Sequence, residues 1–202
     1  MSDNIDPRTV LFSIPTITRD LAETVAAERP PVESDVVFHE DDWRQIEFYP
    51  RNYLADVQEI MNELHDFEQK HRKEGGWDEI YLRAPKPLVL LKGDDTANRL
   101  CRMLDIVDGK YGDLYLYASD TVNRVVNGFS LAVGGDIALY GVRTDEGVSA
   151  LGAVVGEKPD HTILTTAFQK INRSEAAVLV DWRAQMILLD TTRNGQIRIW
   201  RP

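Results

Sequence analysis

The sequence predicts an α+β fold: a single domain made mainly of antiparallel sheet packed against one long and two shorter helices. Short strand-like runs separated by turn residues occupy much of the chain, and residues 52–73 carry apolar side chains at helical spacing. Strands and helices do not alternate regularly in the second half, which disfavours a doubly wound parallel sheet. With 202 residues, 43% of them hydrophobic, the chain can bury a substantial core.

The first 34 residues are predicted to form an N-terminal arm or connector, followed by a globular α+β domain at 35–202. Residues 9–14 have the composition of an edge strand, and residues 19–27 are predicted to form a short helix. That helix would end at Arg29-Pro30-Pro31, because proline lacks the amide hydrogen and restricts the residue before it.

The first half of the domain is predicted to contain the longest helix. Between residues 52 and 73, apolar side chains recur every three or four residues, so they form one stripe that must pack on another element. Pro50 before this segment and Gly75-Gly76 after it are typical helix boundaries. Strands are predicted around the helix at 35–40, 44–49, 79–83 and 88–91.

The second half is predicted to be richer in strands. Residues 113–155 contain short β-branched and aromatic runs, and Gly134-Gly135-Asp136 and residues 144–147 are typical of hairpin turns because glycine reaches positive φ at little cost. Two shorter helices are predicted, near 95–104 and at 161–172, with aspartates at their starts. Strands at 177–180, 186–190 and 196–200 follow, the last two joined by a turn containing Asn194-Gly195.

The charge balance is the strongest guide to partners. The chain has 33 acidic and 23 basic residues, a formal charge of −10, which disfavours nucleic acid or membrane as a partner and favours a basic protein. Cys101 cannot form an internal disulfide, the first residues are acidic and polar, and no apolar run approaches the roughly 20 residues that span a bilayer. These features predict a cytoplasmic protein.

Catalytic and metal-binding signatures are weak. No Gly-x-Ser-x-Gly motif is present, and Cys101 lies among apolar neighbours, which predicts a packed cysteine. His65 and His71 are six residues apart and point to different faces of the long helix, and His39 to Asp42 lacks the glycine of a calcium loop. We therefore predict no cofactor, no metal and no catalytic residue, and an enzyme is disfavoured.

The acidic turn and the tryptophan after it are the predicted partner-binding site: Glu40, Asp41, Asp42 and Trp43. Acids attract a basic partner, and tryptophan is enriched at binding hot spots. The tripeptide Asp42-Trp43-Arg44 recurs as Asp181-Trp182-Arg183, but the flanking residues differ, so the sequence favours coincidence.

The functional hypothesis is a non-enzymatic protein-binding module that holds a basic partner. The type resembles bacterial immunity proteins, which neutralise a toxin or effector by covering its active site, in size, acidity and lack of a catalytic motif, and no residue carries over from that likeness. Two alternatives stay open. One is a small hydrolase using carboxylates with His39 or His161, and the other is a structural subunit that self-associates as a homo-oligomer.

Overall fold

The computed structural model of the protein describes residues 11–84, 86–106 and 111–202. These residues form an α+β fold that contains more strand than helix. The helices are α1 (Leu54–His71), α2 (Thr96–Leu104) and α3 (His161–Glu175). The strands are β1 (Thr16–Thr18), β2 (Thr24–Ala26), β3 (Val36–His39), β4 (Ile46–Pro50), β5 (Arg72–Lys73), β6 (Gly76–Trp77), β7 (Tyr81–Arg83), β8 (Leu91–Lys92), β9 (Leu114–Ala118), β10 (Thr121–Val125), β11 (Gly128–Gly134), β12 (Ile137–Thr144), β13 (Gly147–Val155), β14 (Ala177–Asp181), β15 (Met186–Thr191) and β16 (Ile197–Trp200).

A large antiparallel sheet forms the centre of the molecule. Its strand order is β11-β12-β13-β4-β14-β15-β16, with β8 also paired to β13. The hairpin between β12 and β13 turns at Gly147, whose φ of +140° and closeness to Leu91 O leave no room for a side chain. This confirms the α+β class and the predicted antiparallel sheet. The chain is mostly sheet, however, rather than one long helix packed on a sheet.

The two faces of this sheet are covered by different elements. Directly opposed residues share a face, so Glu47, Gly152 and Val180 lie on one side. That side receives Arg83 of β7, and its Tyr140 packs against a second sheet with the order β2-β10-β9-β3. Helix α3 covers the other side, where its Ile163 lies beside Val133 of β11. Helix α2 contacts both α3 and β11.

Several sequence predictions are wrong in detail. Residues 24–26, assigned to a short helix, form β2 and pair with β10, because strand pairing outweighs the weak local helical pattern of this segment. Strand β10 itself was not predicted, and of residues 88–91 only Leu91 belongs to a strand.

The described part of the predicted arm packs on the body, since β1 pairs with β7. Of the edge strand predicted at 9–14, residues 9 and 10 lie outside the described ranges, and Phe12 forms a bridge with Trp77. None of the helices in the described ranges combines the length and apolar character needed to cross a bilayer.

Candidate functional site

The predicted acidic turn forms a short 3-10 helix, Glu40–Asp42, between β3 and β4. His39 Nδ1 accepts a hydrogen bond from Asp41 N at 3.2 Å and begins the turn. Glu40 is exposed, and the side chains of Asp41 and Asp42 retain 42% and 41% of their accessible surface. The three acids therefore lie at the surface, as a partner-binding role requires.

Trp43 lies in the core. Only 5% of it is exposed, and its ring stacks on Phe38 and Tyr140 with centroids 5.3 Å apart in each case. Its Nε1 donates to the carbonyl oxygen of Asp20 at 2.7 Å. Trp43 therefore anchors the acidic turn and presents almost no surface to a partner, so the predicted binding surface reduces to the three acids.

A buried ion network underlies the turn and is centred on Glu47, which is 1% exposed. Its Oε2 accepts from Arg44 Nε at 2.6 Å, and its Oε1 accepts from Arg83 Nη1 at 3.2 Å. Two neutral donors complete the set: Tyr49 OH and Trp182 Nε1, each 2.8 Å from Oε1. A buried carboxylate with four donors is a satisfied structural group rather than one awaiting a ligand.

Arg44 fixes the direction of the chain between the turn and β4. It has a φ of +54°, which is uncommon for a residue with a side chain. Its backbone N donates to Tyr140 OH at 2.8 Å, and its carbonyl accepts from Arg83 Nη2 at 3.0 Å. A second side-chain nitrogen, Nη1, is paired with Asp20. These contacts hold the strained backbone and set the position of Gln45, the next residue.

The two repeated tripeptides are neighbours in space. Strand β4 pairs with β14 so that Asp181 opposes Ile46, and Trp182 N donates to Gln45 O at 3.0 Å. The aspartate of one tripeptide bonds the arginine of the other, with Asp42 Oδ1 and Arg183 Nη2 2.9 Å apart. Sequence reasoning missed this juxtaposition, because it depends on the long-range pairing of β4 with β14.

A cleft of about 380 Å³ opens where these segments meet, and we call it the acidic notch. Its polar lining includes two carboxylates, from Asp42 and Asp181. Gln45 also lines it and is 3% exposed. The apolar lining comes from Ile46 and from residues 153–155 at the end of β13, and Arg183 and Ala184 complete the wall.

Two residues that line the notch have side-chain oxygens with too few hydrogen-bond donors. Gln45 Nε2 donates to Thr16 O at 2.8 Å, which fixes the amide orientation, and Oε1 is buried with no hydrogen-bond partner among the described residues. Asp181 Oδ1 accepts from Ala184 N at 2.8 Å, and within the same part of the chain Asp181 has no ion pair. Burial raises the pKa of Asp181 above its ordinary value, although the backbone amides of Ala184 and Arg183 and the charges of Arg183 and Arg201 act in the opposite direction. Ionised Asp181 is therefore incompletely compensated, which favours a cationic ligand.

The two histidines named for the alternative hydrolase lie on opposite sides of the central sheet, and His39 Nδ1 is 3.5 Å from Asp41 Oδ2. His39 bonds the acidic turn, whereas His161 begins α3 on the far face of the central sheet. Across the described ranges, no group of three or more histidine, cysteine or acidic side chains has the geometry to hold a metal ion. Cys101 is buried on α2, as predicted, and burial raises the pKa of its thiol.

Comparison of the chain with models of protein families, with curated proteins and with solved structures found no match. The geometry and charge of the acidic notch are therefore the basis on which we assign a function.

Proposed function

We propose that this protein is a non-enzymatic binding module that holds a basic protein, and that it receives a lysine or arginine side chain of that partner in the acidic notch. The observation that carries the proposal is the pair of carboxylates of Asp42 and Asp181 around one cleft, whose lining also includes Gln45 with its buried, unpartnered Oε1. Each of these groups accepts hydrogen bonds, and a cationic side chain supplies several donors from one small head.

The notch matches both parts of a long basic side chain. Ile46 and residues 153–155 offer apolar surface to the aliphatic stem, and the carboxylates lie within the same cleft to receive the charged head. A charged hydrogen bond in a partly buried site is stronger than one between neutral groups. Binding would also offset the unfavourable burial of the Asp181 carboxylate.

The exposed acids of the turn supply steering. Glu40 and Asp41 lie beside Asp42 at the notch, on a chain with a formal charge of −10. Such a surface accelerates the approach of a positively charged protein, and the buried contacts then slow its dissociation. This division of roles fits an immunity-type protein that neutralises a basic bacterial toxin or effector in the cytoplasm, which is the specific form of the proposal.

A capture experiment tests the proposal. The native protein, an Asp42→Asn/Asp181→Asn variant and an Asp145→Asn/Glu146→Gln control are immobilised and exposed to native lysate. The control makes the same charge change in the exposed turn between β12 and β13. We expect the native protein and the control to retain one basic protein and the notch variant to lose it.

Equal retention by all three proteins, or retention of a partner that is not basic, would contradict the proposal. Sedimentation velocity of the native protein alone tests the alternative that the protein self-associates. A concentration-dependent oligomer abolished by the notch substitutions would assign the notch to contacts between copies of the chain.

A further inference from the structure

A second cleft, of about 390 Å³, adjoins the acidic notch on the other side of Arg183. We call it the arginine cleft. Its charged lining consists of Arg72, Arg183, Arg201 and Glu68, with His65 and Gln185 also in the wall. Three positive and one negative formal charges thus surround one concavity on a chain whose net charge is −10. The charge of this cleft is opposite in sign to the net charge of the chain, and the acidic notch does not account for the difference.

Two of the three guanidinium groups have no carboxylate partner in the described part of the chain. Arg201 donates to the carbonyl oxygen of Ala184 at 3.0 Å and to the thioether of Met186 at 3.5 Å, and sulfur is a weak acceptor. Arg72 lies over the Trp77 ring with its Cζ 6.0 Å from the centroid. The third guanidinium group, that of Arg183, forms an ion pair with Asp42 of the acidic notch.

His65 is held by hydrogen bonds to two other side chains that line the arginine cleft. His65 Nδ1 is 2.7 Å from Gln185 Oε1, and His65 Nε2 is 2.7 Å from Gln69 Nε2. The amide oxygen can only accept and the amide nitrogen can only donate, so the ring carries its hydrogen on Nδ1. The imidazole is therefore occupied by its neighbours, and the arginines are the groups left to bind a ligand.

We propose that the arginine cleft binds an oxyanion, either a phosphate or a carboxylate group. A guanidinium offers planar, paired donors that match two oxygens of either group, and two such forks at one cleft favour an anion over a neutral ligand. Glu68, which also lines the cleft, disfavours a highly charged polyanion and limits the site to a small group. The proposal does not depend on the function of the acidic notch.

Titration with inorganic phosphate and with succinate, followed by NMR of arginine Nε–Hε resonances at constant ionic strength, tests the site. The native protein is compared with Arg72→Gln/Arg201→Gln and with a control, Arg173→Gln/Arg193→Gln, which removes the same charge from two exposed residues. We expect saturable shifts at Arg72 and Arg201 with at least one probe. The cleft variant should bind about tenfold or more weakly, and the control should bind like the native protein.

Saturation by phosphate alone assigns a phosphate site, and saturation by succinate alone assigns a carboxylate site. Linear shifts with both probes, or equal weakening in the cleft variant and the control, would overturn the proposal. Arg72→Lys/Arg201→Lys keeps the charge while removing the paired donors, so it should bind more weakly than the native protein but more strongly than the glutamine variant.

Discussion

Two carboxylates on neighbouring strands, Glu47 of β4 and Asp181 of β14, have contrasting surroundings. Glu47 accepts from two arginines, a tyrosine and a tryptophan and is almost completely buried. Asp181 is half-buried, accepts from the backbone of its own turn and, among the described residues, has no ion pair. The fold supplies the hydrogen-bond donors of Glu47, and we propose that a partner supplies the missing donors of Asp181. Charge alone does not distinguish these roles, whereas the number of donors does.

The largest expected effect follows from removing Glu47. Glu47→Ala leaves the guanidinium groups of Arg44 and Arg83 buried without their shared acceptor. We expect the free energy of unfolding to fall by about 5 kcal/mol, the upper end of the range for breaking a buried ion pair. Urea denaturation followed by circular dichroism measures it.

An exposed pair supplies the control for Glu47. Asp105→Asn removes the charge that pairs with Lys170 and keeps a residue that tolerates the φ of +56° at this position, and Asp105 keeps 83% of its side-chain surface, so stability should change little. Similar losses in the two variants would remove the distinction between carboxylates that stabilise the fold and those available for binding.

The next effect concerns Trp43, which the sequence predicted at the binding surface. Trp43→Ala removes a ring that stacks on both Phe38 and Tyr140. We expect a loss of about 3 kcal/mol, typical of a large-to-small substitution in a core. Thermal unfolding measures this loss of stability. A Trp43→Ala variant with native stability but weakened partner binding would show that Trp43 belongs to the binding interface.

Charge reversal in the acidic turn tests steering. Asp41→Lys/Asp42→Lys places two positive charges where the native protein has two negative ones, so the association rate with the captured basic partner should fall about 10- to 100-fold at low salt. The rate should also become less sensitive to ionic strength. Stopped-flow or surface-based kinetics with a salt series measures both, and unchanged kinetics would exclude this surface.

A smaller effect should appear in the pH dependence of stability. Burial raises the pKa of Asp181, so the folded protein holds this proton more tightly than the unfolded chain does, and the ionised group destabilises the fold above the folded-state pKa. Asp181→Asn should therefore be slightly more stable than the native protein at pH 7. The difference should shrink as the pH falls and vanish below the ordinary value of 3.8.

Asp35 provides the opposite case. A hydrogen bond from Arg29 lowers the pKa of Asp35 to about 2, so this ionised group stabilises the folded protein. Asp35→Asn should be less stable than the native protein at pH 7, and the deficit should disappear as the pH falls from 3.8 towards 2. Changes of the same sign in both variants would contradict the assignment of Asp181 as an uncompensated acid.

Local patterns in the sequence predicted much of the fold. The apolar spacing over 52–73 corresponds to α1, whose Val57, Met61 and Leu64 are buried, and Asp160 caps α3 through Thr162 N as expected. The helix predicted over 19–27 failed because residues 24–26 gain their structure from β10, a strand almost a hundred residues away. Such a pairing leaves no periodic signal near the residues themselves.

The site was harder to predict than the fold. Glu40 is exposed and Asp41 and Asp42 are half-buried, but a tryptophan beside acids has the same local sequence whether it points into the core or into solvent. The repeated tripeptide is visible in the sequence. That its two copies lie side by side follows only from the pairing of β4 with β14, which sets Asp181 opposite Ile46. Gln45 gave no sequence signal, and the repeat did not show that Asp181 is short of hydrogen-bond donors, because burial without enough donors is a property of the assembled structure.

The most direct test of the notch is the pKa of Asp181 measured by carbon-detected NMR, with and without agmatine, a small dication with a guanidinium at one end of an aliphatic stem and an ammonium at the other. Free protein should show the raised value, and agmatine should lower it in native protein while Asp35 stays unchanged. The Asp42→Asn variant should bind agmatine more weakly and show a smaller decrease. A pKa of Asp181 that does not move at saturating agmatine would contradict the claim that the acidic notch receives a cation.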